Sequence, residues 1–169
     1  MPYGDKPYGL RDVQITPSGG SLTNLPVART LSFTATFSSD TLRGDDSVAA
    51  VVSFVDHLEW SIESGGIPLD ALAGMVGNAV ATTGTSPNEV ETLTLSAGDN
   101  LPYFQIEGRS LGDTTDDAHV VIFKAKITSL EGSFGDQEFF ITTCSGIAID
   151  DGTNGIIDII RNETAAAIS

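Results

Sequence analysis

The sequence predicts a mainly β fold, a β-sandwich or a barrel-like relative of one, with a single short α-helix. Apolar and polar residues alternate along several segments, which is the pattern of strands with one buried face. Clusters of Gly, Asp and Asn separate these segments, as at Gly19-Gly20 and Gly98-Asp99-Asn100. The length of 169 residues is that of one domain, so residues 1–169 are predicted to fold as a single unit.

Two segments show the alternation most clearly. In Arg29–Phe37 every second residue is apolar. In Leu58–Glu63, Leu, Trp and Ile are predicted on one strand face, and Glu and Ser on the other. The segment His119–Ile127 alternates a face without formal charge with one that carries two lysines. Val48–Val55 is apolar on both faces, which predicts a strand that is covered twice. Weaker strands are predicted at Arg11–Ile15, Glu89–Leu95, Tyr103–Arg109, Glu138–Ile149 and Gly155–Arg161.

One helix is predicted at Pro68–Val76. Pro68 suits a first helical position, and Gly77 can end the helix in a left-handed conformation. An apolar stripe is formed by Leu69, Leu72, Ala73 and Val76. A helix this short is not stable alone, so it is expected to pack on the sheet.

Three segments are predicted to lie outside the regular structure. They are a mobile N-terminal arm at about residues 1–9, a polar loop at about 38–47 and a short C-terminal tail at about 162–169. The loop is too long for a tight hairpin turn, and loops of that length often have a function. The N-terminus has no apolar run typical of a signal peptide, and no apolar segment is long enough to span a membrane as a helix.

The net charge is −15, and it is unevenly distributed. Residues 1–43 hold four basic and three acidic residues, whereas residues 44–169 hold four basic and twenty acidic ones. Tight nucleic-acid binding needs Lys and Arg to neutralise phosphates. The composition therefore excludes that function over most of the chain, and acidity that keeps the protein soluble is the simplest interpretation.

No catalytic, metal-binding or cofactor-binding constellation is predicted, and the chain is not expected to be an enzyme. His57 and His119 are predicted to be surface or edge residues, since neither has a nucleophile or further ligands nearby in sequence. Cys144 lies in a β segment and is predicted to be a buried, inert thiol.

Two acidic patterns partly resemble known kinds of site. The run Asp150–Gly155 departs from a calcium-binding EF-hand loop at positions three and twelve, so it is predicted to be a plain turn. The pairs Asp45-Asp46 and Asp116-Asp117 could supply two carboxylates for glycoside hydrolysis. Neither pair has an aromatic sugar platform nearby in sequence.

Three segments together resemble the major tail tube proteins of long-tailed, non-contractile bacteriophages. They are YGLRDV from residue 8, SSDTLRGDDSVAAVV from residue 38, and LEWSIESGGIPLDALAGMVG from residue 58. The resemblance is clear over residues 8–80 and continues by strand pattern and length. It rests on the order of an LRGDD loop, a Trp-Glu strand, a GGI turn and a short helix.

The resemblance implies a β-sandwich with a flanking helix, in a virion tail subunit made in the host cytoplasm. Such subunits are expected to form hexameric rings that stack into a tube through which DNA passes without specific binding. The implied partners are further copies of the chain, the tape measure protein, the tail terminator and the distal tail proteins, with no membrane partner and no cofactor.

On this interpretation two groups of residues are candidate functional sites. The inter-subunit loop comprises Leu42, Arg43, Gly44, Asp45 and Asp46, in which Arg43 is the only cation between Arg29 and Arg109. The candidate acids of the tube lumen are Glu59, Glu63, Asp99 and Glu107. Acidic side chains on the lumen would repel DNA phosphates and let the genome slide.

Three alternatives remain at the level of sequence. One is a tube protein of a contractile tail or a type VI secretion system. Another is a β-sandwich binding module, although such modules usually expose clustered aromatic residues, and this chain has one Trp and three Tyr. A hydrolase with dispersed catalytic residues is a third, weaker interpretation.

Overall fold

A computed structural model of the chain describes residues 8–45, 47–66, 68–111, 116–162 and 168. In this part of the chain the fold is mainly β with one short helix, as predicted. The strands are β1 (Tyr8–Pro17), β2 (Thr23–Asn24), β3 (Ala28–Arg43), β4 (Val48–Gly65), β5 (Ala81–Thr83), β6 (Val90–Thr92), β7 (Phe104–Leu111), β8 (Asp117–Ser133), β9 (Ile141–Ala148) and β10 (Ile157–Asn162), and the helix α1 is Leu69–Val76.

Eight strands form one antiparallel sheet, and β5 and β6 form a separate pair. The main sheet has the order β2-β1-β7-β8-β9-β4-β3, and β10 also pairs with β8. β8 connects two parts of the sheet, because its first half lies between β7 and β10 and its second half pairs with β9. β10 therefore lies along β8 beyond the end of β9.

The core lies on one face of the curled main sheet and is closed by the helix. Trp60 of β4 meets Phe104 of β7 edge to face, with ring centroids 5.5 Å apart. The sheet curls enough for the Leu31 side chain of β3 to pack against Gly108 of β7. The helix buries its apolar side with Ala71, Leu72, Met75 and Val76. It ends as predicted, since Gly77 is left-handed (φ 79°) and its N–H donates to the Ala73 carbonyl at 2.8 Å.

The predicted loop at 38–47 is mostly strand, so this prediction was wrong. β3 continues to Arg43, β4 begins at Val48, and the two pair from Phe37↔Val55 to Arg43↔Val48. The polar run Ser38–Thr41 suggested a loop, yet backbone hydrogen bonds to an apolar partner strand hold it in the ladder. Of the predicted N-terminal arm, residues 1–7 lie outside the described residues, and Tyr8 begins β1. Of the predicted tail, Asn162 ends β10, and residues 163–167 and 169 lie outside the described residues.

The acidic run after β9 is a turn, as predicted, and Asp151 organises it. Its carboxylate accepts hydrogen bonds from the backbone N–H groups of Thr153, Asn154 and Gly155 at 2.7–3.2 Å. These bonds, led by that of Thr153, lower the pKa of Asp151 from 3.8 to about 2. These hydrogen bonds favour the ionised carboxylate, so the turn is more stable when Asp151 is charged.

We predict that Asp151→Ala removes an acid-dependent part of the stability. Because the folded-state pKa is lowered, this part is fully present above about pH 4 and is lost as the pH falls towards about 2. Unfolding midpoints measured over that range should fall more steeply in the natural chain than in Asp151→Ala. Glu89→Ala, at an exposed position, is the control and should leave the slope unchanged. Equal slopes for all three chains would contradict this role of Asp151.

Candidate functional site

The most unusual feature of the surface is a long hairpin that extends β3 and β4 beyond the core. We call residues 37–45 and 47–55 the arm; Asp46, at its tip, lies outside the described residues. Every described residue of the arm is exposed except Ser38, which is half-buried. The register is continuous with the body of the sheet, with shifts near Phe37 and near the tip. The arm is therefore a hairpin with almost no cover from the other residues that the structure describes.

The arm carries large apolar side chains on both faces. Strand register places Phe37, Val51 and Val55 on one face, whereas Leu42, Val52 and Phe54 lie on the other. These six and Val48 are 47–67% exposed. The sequence predicted that Val48–Val55 would be covered twice, and no described part of the chain covers either face. Exposed apolar surface of this extent indicates an interaction surface.

The arm also has unpaired strand edges. β9 pairs with β4 only from Leu58 to Gly65, so the arm segment of β4 has one free edge among the described strands. β3 is the last strand of the sheet order, so no described strand pairs with its outer edge. Free edges offer backbone N–H and C=O groups to another chain.

The predicted inter-subunit residues lie at the tip of the arm. Leu42 and Arg43 end β3, and the turn is closed by a hydrogen bond from Gly44 N–H to the Ser47 carbonyl at 2.9 Å. Arg43 is exposed and forms no ion pair with any described residue. Asp45 is exposed beside it. The tip therefore presents an unpaired cation next to apolar surface.

Two of the four candidate lumen acids share one face of the sheet. Glu59 and Glu63 point away from the core, in register with outward hydroxyl side chains of β3 and β9. We call this surface the hydroxyl face; it comprises Thr30, Ser32, Thr34, Glu59, Ser61, Glu63, Thr143 and Ser145. Glu63 pairs with Arg29 at 3.1 Å, whereas Glu59 is exposed and forms no ion pair with a described residue. Ile147 lies opposite Glu59 on the same face, and Lys126 of β8 lies opposite Ile147, so the surface is mainly polar and carries charges of both signs.

The other two candidate acids lie elsewhere. Asp99 is in the segment between β6 and β7, where its carboxylate accepts hydrogen bonds from Asn78 and from the Ser96 N–H. These two bonds lower the pKa of Asp99. Glu107 is buried on β7 with His119 Nδ1 3.6 Å from its Oε1 atom. Neither residue shares the hydroxyl face.

A buried polar network surrounds Glu107, and the sequence did not predict it. His119 was expected at the surface, yet it is 5% exposed, with Nε2 3.1 Å from the Asp117 carboxylate. Arg109 Nε donates to the same carboxylate at 2.9 Å, and Asn162 donates to its other oxygen at 2.8 Å. The network therefore joins β7, β8 and β10. Glu107 and Arg109 alternate along β7, as Asp117 and His119 do along β8. Whether the two pairs meet depends on how β7 and β8 are paired, which local sequence patterns do not determine.

We predict that Glu107→Gln flattens the dependence of stability on pH. Burial raises the pKa of Glu107, opposed in part by His119. Because the raised pKa favours the protonated folded state, this contribution is complete below about pH 4.5 and is lost as the pH rises through the folded-state pKa. Urea unfolding at a series of pH values should show a smaller loss in the variant, with the exposed Glu131→Gln as control. The same loss in all three chains would contradict the assignment.

The remaining candidate residues offer no assembled chemistry in the described part of the chain. Cys144 is buried, as predicted, and burial raises the pKa of its thiol to about 11. His57 is half-buried and its Nδ1 lies 2.8 Å from the Asp56 carboxylate. No group of three or more His, Cys, Asp or Glu side chains among the described residues is placed to hold a metal ion. None of the described helices is long and apolar enough to cross a membrane.

Comparisons with known proteins give little further information. No protein-family profile matches the chain, and no curated protein is significantly similar to it in sequence. One solved structure superimposes over 96% of this chain and 97% of its own, with a TM-score of 0.48 and 9% identity. It is a chain of a structure described as "Cryo-EM structure of the anti-feeding prophage (AFP) baseplate, 6-fold symmetrised". A likeness this distant carries no functional argument.

Proposed function

We propose that this chain is a non-enzymatic structural subunit that assembles with copies of itself, through the arm, into the stacked rings of a bacteriophage tail tube. The observation that carries the proposal is the arm, a hairpin with large exposed apolar side chains on both faces. The tail tube resemblance at residues 8–80 includes the arm, and the described residues 42–45 of its LRGDD motif lie at the arm tip.

The energetics of the arm support assembly. Burying one large apolar side chain contributes roughly 1.5–3 kcal/mol. Six such side chains, three on each face, supply enough to offset much of the cost of association. A hairpin that is apolar on both faces needs cover on both sides, so the proposal places each arm between surfaces of other subunits.

The hydroxyl face suits the lining of a tube that conducts DNA. Its outward side chains are mainly Ser and Thr, Glu63 is neutralised by Arg29, and Glu59 adds negative charge. Such a surface offers hydrogen bonds to water, and its cations are Arg29, which pairs with Glu63, and Lys126 of β8. Electrostatic repulsion acts over about 8 Å at physiological ionic strength, so acids on the lumen itself would matter most. Glu59, which has no ion pair among the described residues, is therefore the main lumen acid of the proposal, and Glu63 is the second.

The proposed partners follow from this role. Hexameric rings would stack on one another, and the ends of the tube would meet the tape measure protein, the tail terminator and the distal tail proteins. The chain would be a virion component, and DNA would pass through without specific contacts.

We predict that Arg43→Glu weakens assembly. The substitution places a carboxylate beside Asp45 at the arm tip and removes an exposed cation that has no partner within the described chain. The expected result is fewer and shorter assemblies by electron microscopy, with the defect reduced at high salt because screening weakens the repulsion. Arg11→Glu, at an exposed position of β1 outside the arm, is the control. Assemblies of normal number and length from Arg43→Glu would count against a contact at the arm tip.

Sedimentation velocity of the purified chain tests the proposal as a whole. A tube subunit should form species that grow with concentration beyond any single closed ring. A boundary that stays at the monomer at every concentration would refute self-assembly, and a single closed oligomer would refute stacking.

A further inference from the structure

A second exposed apolar surface lies on the connection between β8 and β9. We call residues 134–140 the aromatic tip. Phe134 is 84% exposed and Phe139 is 91% exposed, which makes Phe139 the most exposed of the large apolar side chains described. Two phenylalanines projecting this far into water have no role in the core of the chain, so they are a candidate contact surface.

The aromatic tip is anchored to the body of the sheet. Phe134 and Phe140 pack with ring centroids 4.3 Å apart. Gly66, just after β4, donates its N–H to the Phe140 carbonyl at 2.8 Å, and its own carbonyl accepts from Thr142 Oγ1 at 2.8 Å. The exposed rings are therefore presented by a supported turn.

A hollow of about 760 Å³ lies beside Phe139. Val27, Gly65 and Ile141 contribute to its lining, together with Arg29 and Glu138. Its surface is largely apolar, and its volume is sufficient for several side chains of another molecule. The hollow and the neighbouring phenyl ring form one docking surface.

This docking surface and the arm lie at opposite ends of β4. Antiparallel register pairs Leu58 with Ala148 near the arm, and Gly65 with Ile141 at the aromatic tip. β4 is 18 residues long, and at about 3.3 Å per residue the two ends are roughly 55 Å apart. The arm of a chain therefore cannot reach the aromatic tip of the same chain.

We infer that the aromatic tip and its hollow receive the arm of a second copy, in a head-to-tail contact; this rests on the proposed function, in which the arm is the assembly surface. Both surfaces are apolar, and each carries charges of both signs. The arm tip presents Arg43, which has no ion pair among the described residues, beside the exposed Asp45. The hollow is lined by Glu138 and by Arg29, which also pairs with Glu63, so each charge of the arm tip can meet an opposite charge there.

The geometry of the contact decides what it builds. A contact between two different surfaces at opposite ends of a subunit is heterologous, so each added copy presents a new free arm and a new free tip. Repetition produces growth along one direction, which is what stacking of rings requires. An arm-to-arm contact would instead close after two copies.

Removing the receiving surface tests the inference. Phe139→Ser should raise the concentration needed for assembly by about tenfold or more, because one large buried side chain is lost from each contact. Folding should be unchanged, since the ring is 91% exposed in the free chain. Val90→Ser, which removes a 58% exposed side chain from β6, is the matched control and should assemble as the natural chain does.

Cross-linking between two variants tests the pairing directly. Chains with Val51→Cys in the arm and chains with Gln137→Cys at the edge of the hollow, which keep the Phe139 ring, would be mixed and treated with a short bismaleimide. The natural Cys144 should react little with the maleimide, because its thiol is buried. The expected product is a dimer of one arm variant and one tip variant, with far less product from either variant alone.

The outcomes separate this inference from the proposed function. Arm-to-tip products together with a Phe139→Ser defect support both. Normal assembly of Phe139→Ser, or products of arm variants alone, would overturn the docking site and leave arm-mediated assembly standing. Failure of the natural chain to assemble would overturn the proposed function, and with it the inference.

Discussion

Replacing Val52 and Phe54 together by serine is expected to abolish assembly while leaving the subunit folded. Both side chains lie on one face of the arm, 62% and 57% exposed in the free chain, so they contribute little to the stability of the subunit. If a neighbouring copy covers the exposed part of both, their loss costs roughly 2–4 kcal/mol per contact. Since 1.4 kcal/mol corresponds to a factor of ten, the assembly concentration should rise by at least about twentyfold.

The matched control for this variant is Val90→Ser with Leu95→Ser. These residues are 58% and 50% exposed and lie outside the arm, so the control removes a similar amount of apolar surface. Sedimentation velocity measures the assembly, and circular dichroism and thermal unfolding measure the fold. Assembly of the arm variant at the same concentration as the control would show that the arm is not the contact surface.

Replacing Gly146 by alanine is expected to unfold or severely destabilise the subunit. Gly146 lies in β9, opposite Trp60 of β4 and Ile127 of β8. A Cβ atom there would overlap the Lys126 carbonyl oxygen and lie 2.8 Å from Cζ2 of the Trp60 ring. Backbone and core would both have to move, so we expect a loss of about 3 kcal/mol or more in the free energy of unfolding.

Gly44→Ala is the control for this second prediction. A Cβ atom at Gly44 would meet Ala49 at 3.6 Å, which is an ordinary van der Waals distance. Urea unfolding should therefore show a small change for Gly44→Ala and a large one for Gly146→Ala. A Gly146→Ala chain with the stability of the natural chain would mean that β9 does not pack against Trp60 and β8 as described.

Local patterns were sufficient for much of the fold. Alternation located the bodies of β3, β4 and β8, and Pro68 and Gly77 located the helix, because these signals depend on neighbours in sequence. The pattern failed at Ser38–Arg43, where polar residues are held as a strand by backbone bonds to an apolar partner. Ladder hydrogen bonds do not depend on side-chain polarity, so composition could not reveal that the arm is one hairpin.

The candidate site was predictable only in part. The LRGDD segment was identified by resemblance, and Val48–Val55 was predicted to be covered on both faces, whereas both faces are exposed in the described chain. What sequence could not give was that the cover is absent from the described chain, because that depends on where the hairpin leaves the sheet. His119 and Glu107 were misplaced for the same reason: burial on a strand is decided by register and by neighbouring strands.

Electron microscopy of the purified natural chain at high concentration is the most direct test of the central claim. Stacked rings joined through the arm should appear as hollow rods with a regular axial repeat, and the variant with Val52 and Phe54 replaced by serine should form none under the same conditions. Dispersed single subunits from the natural chain, or rods of equal number from the variant, would contradict the claim that this hairpin builds a tube.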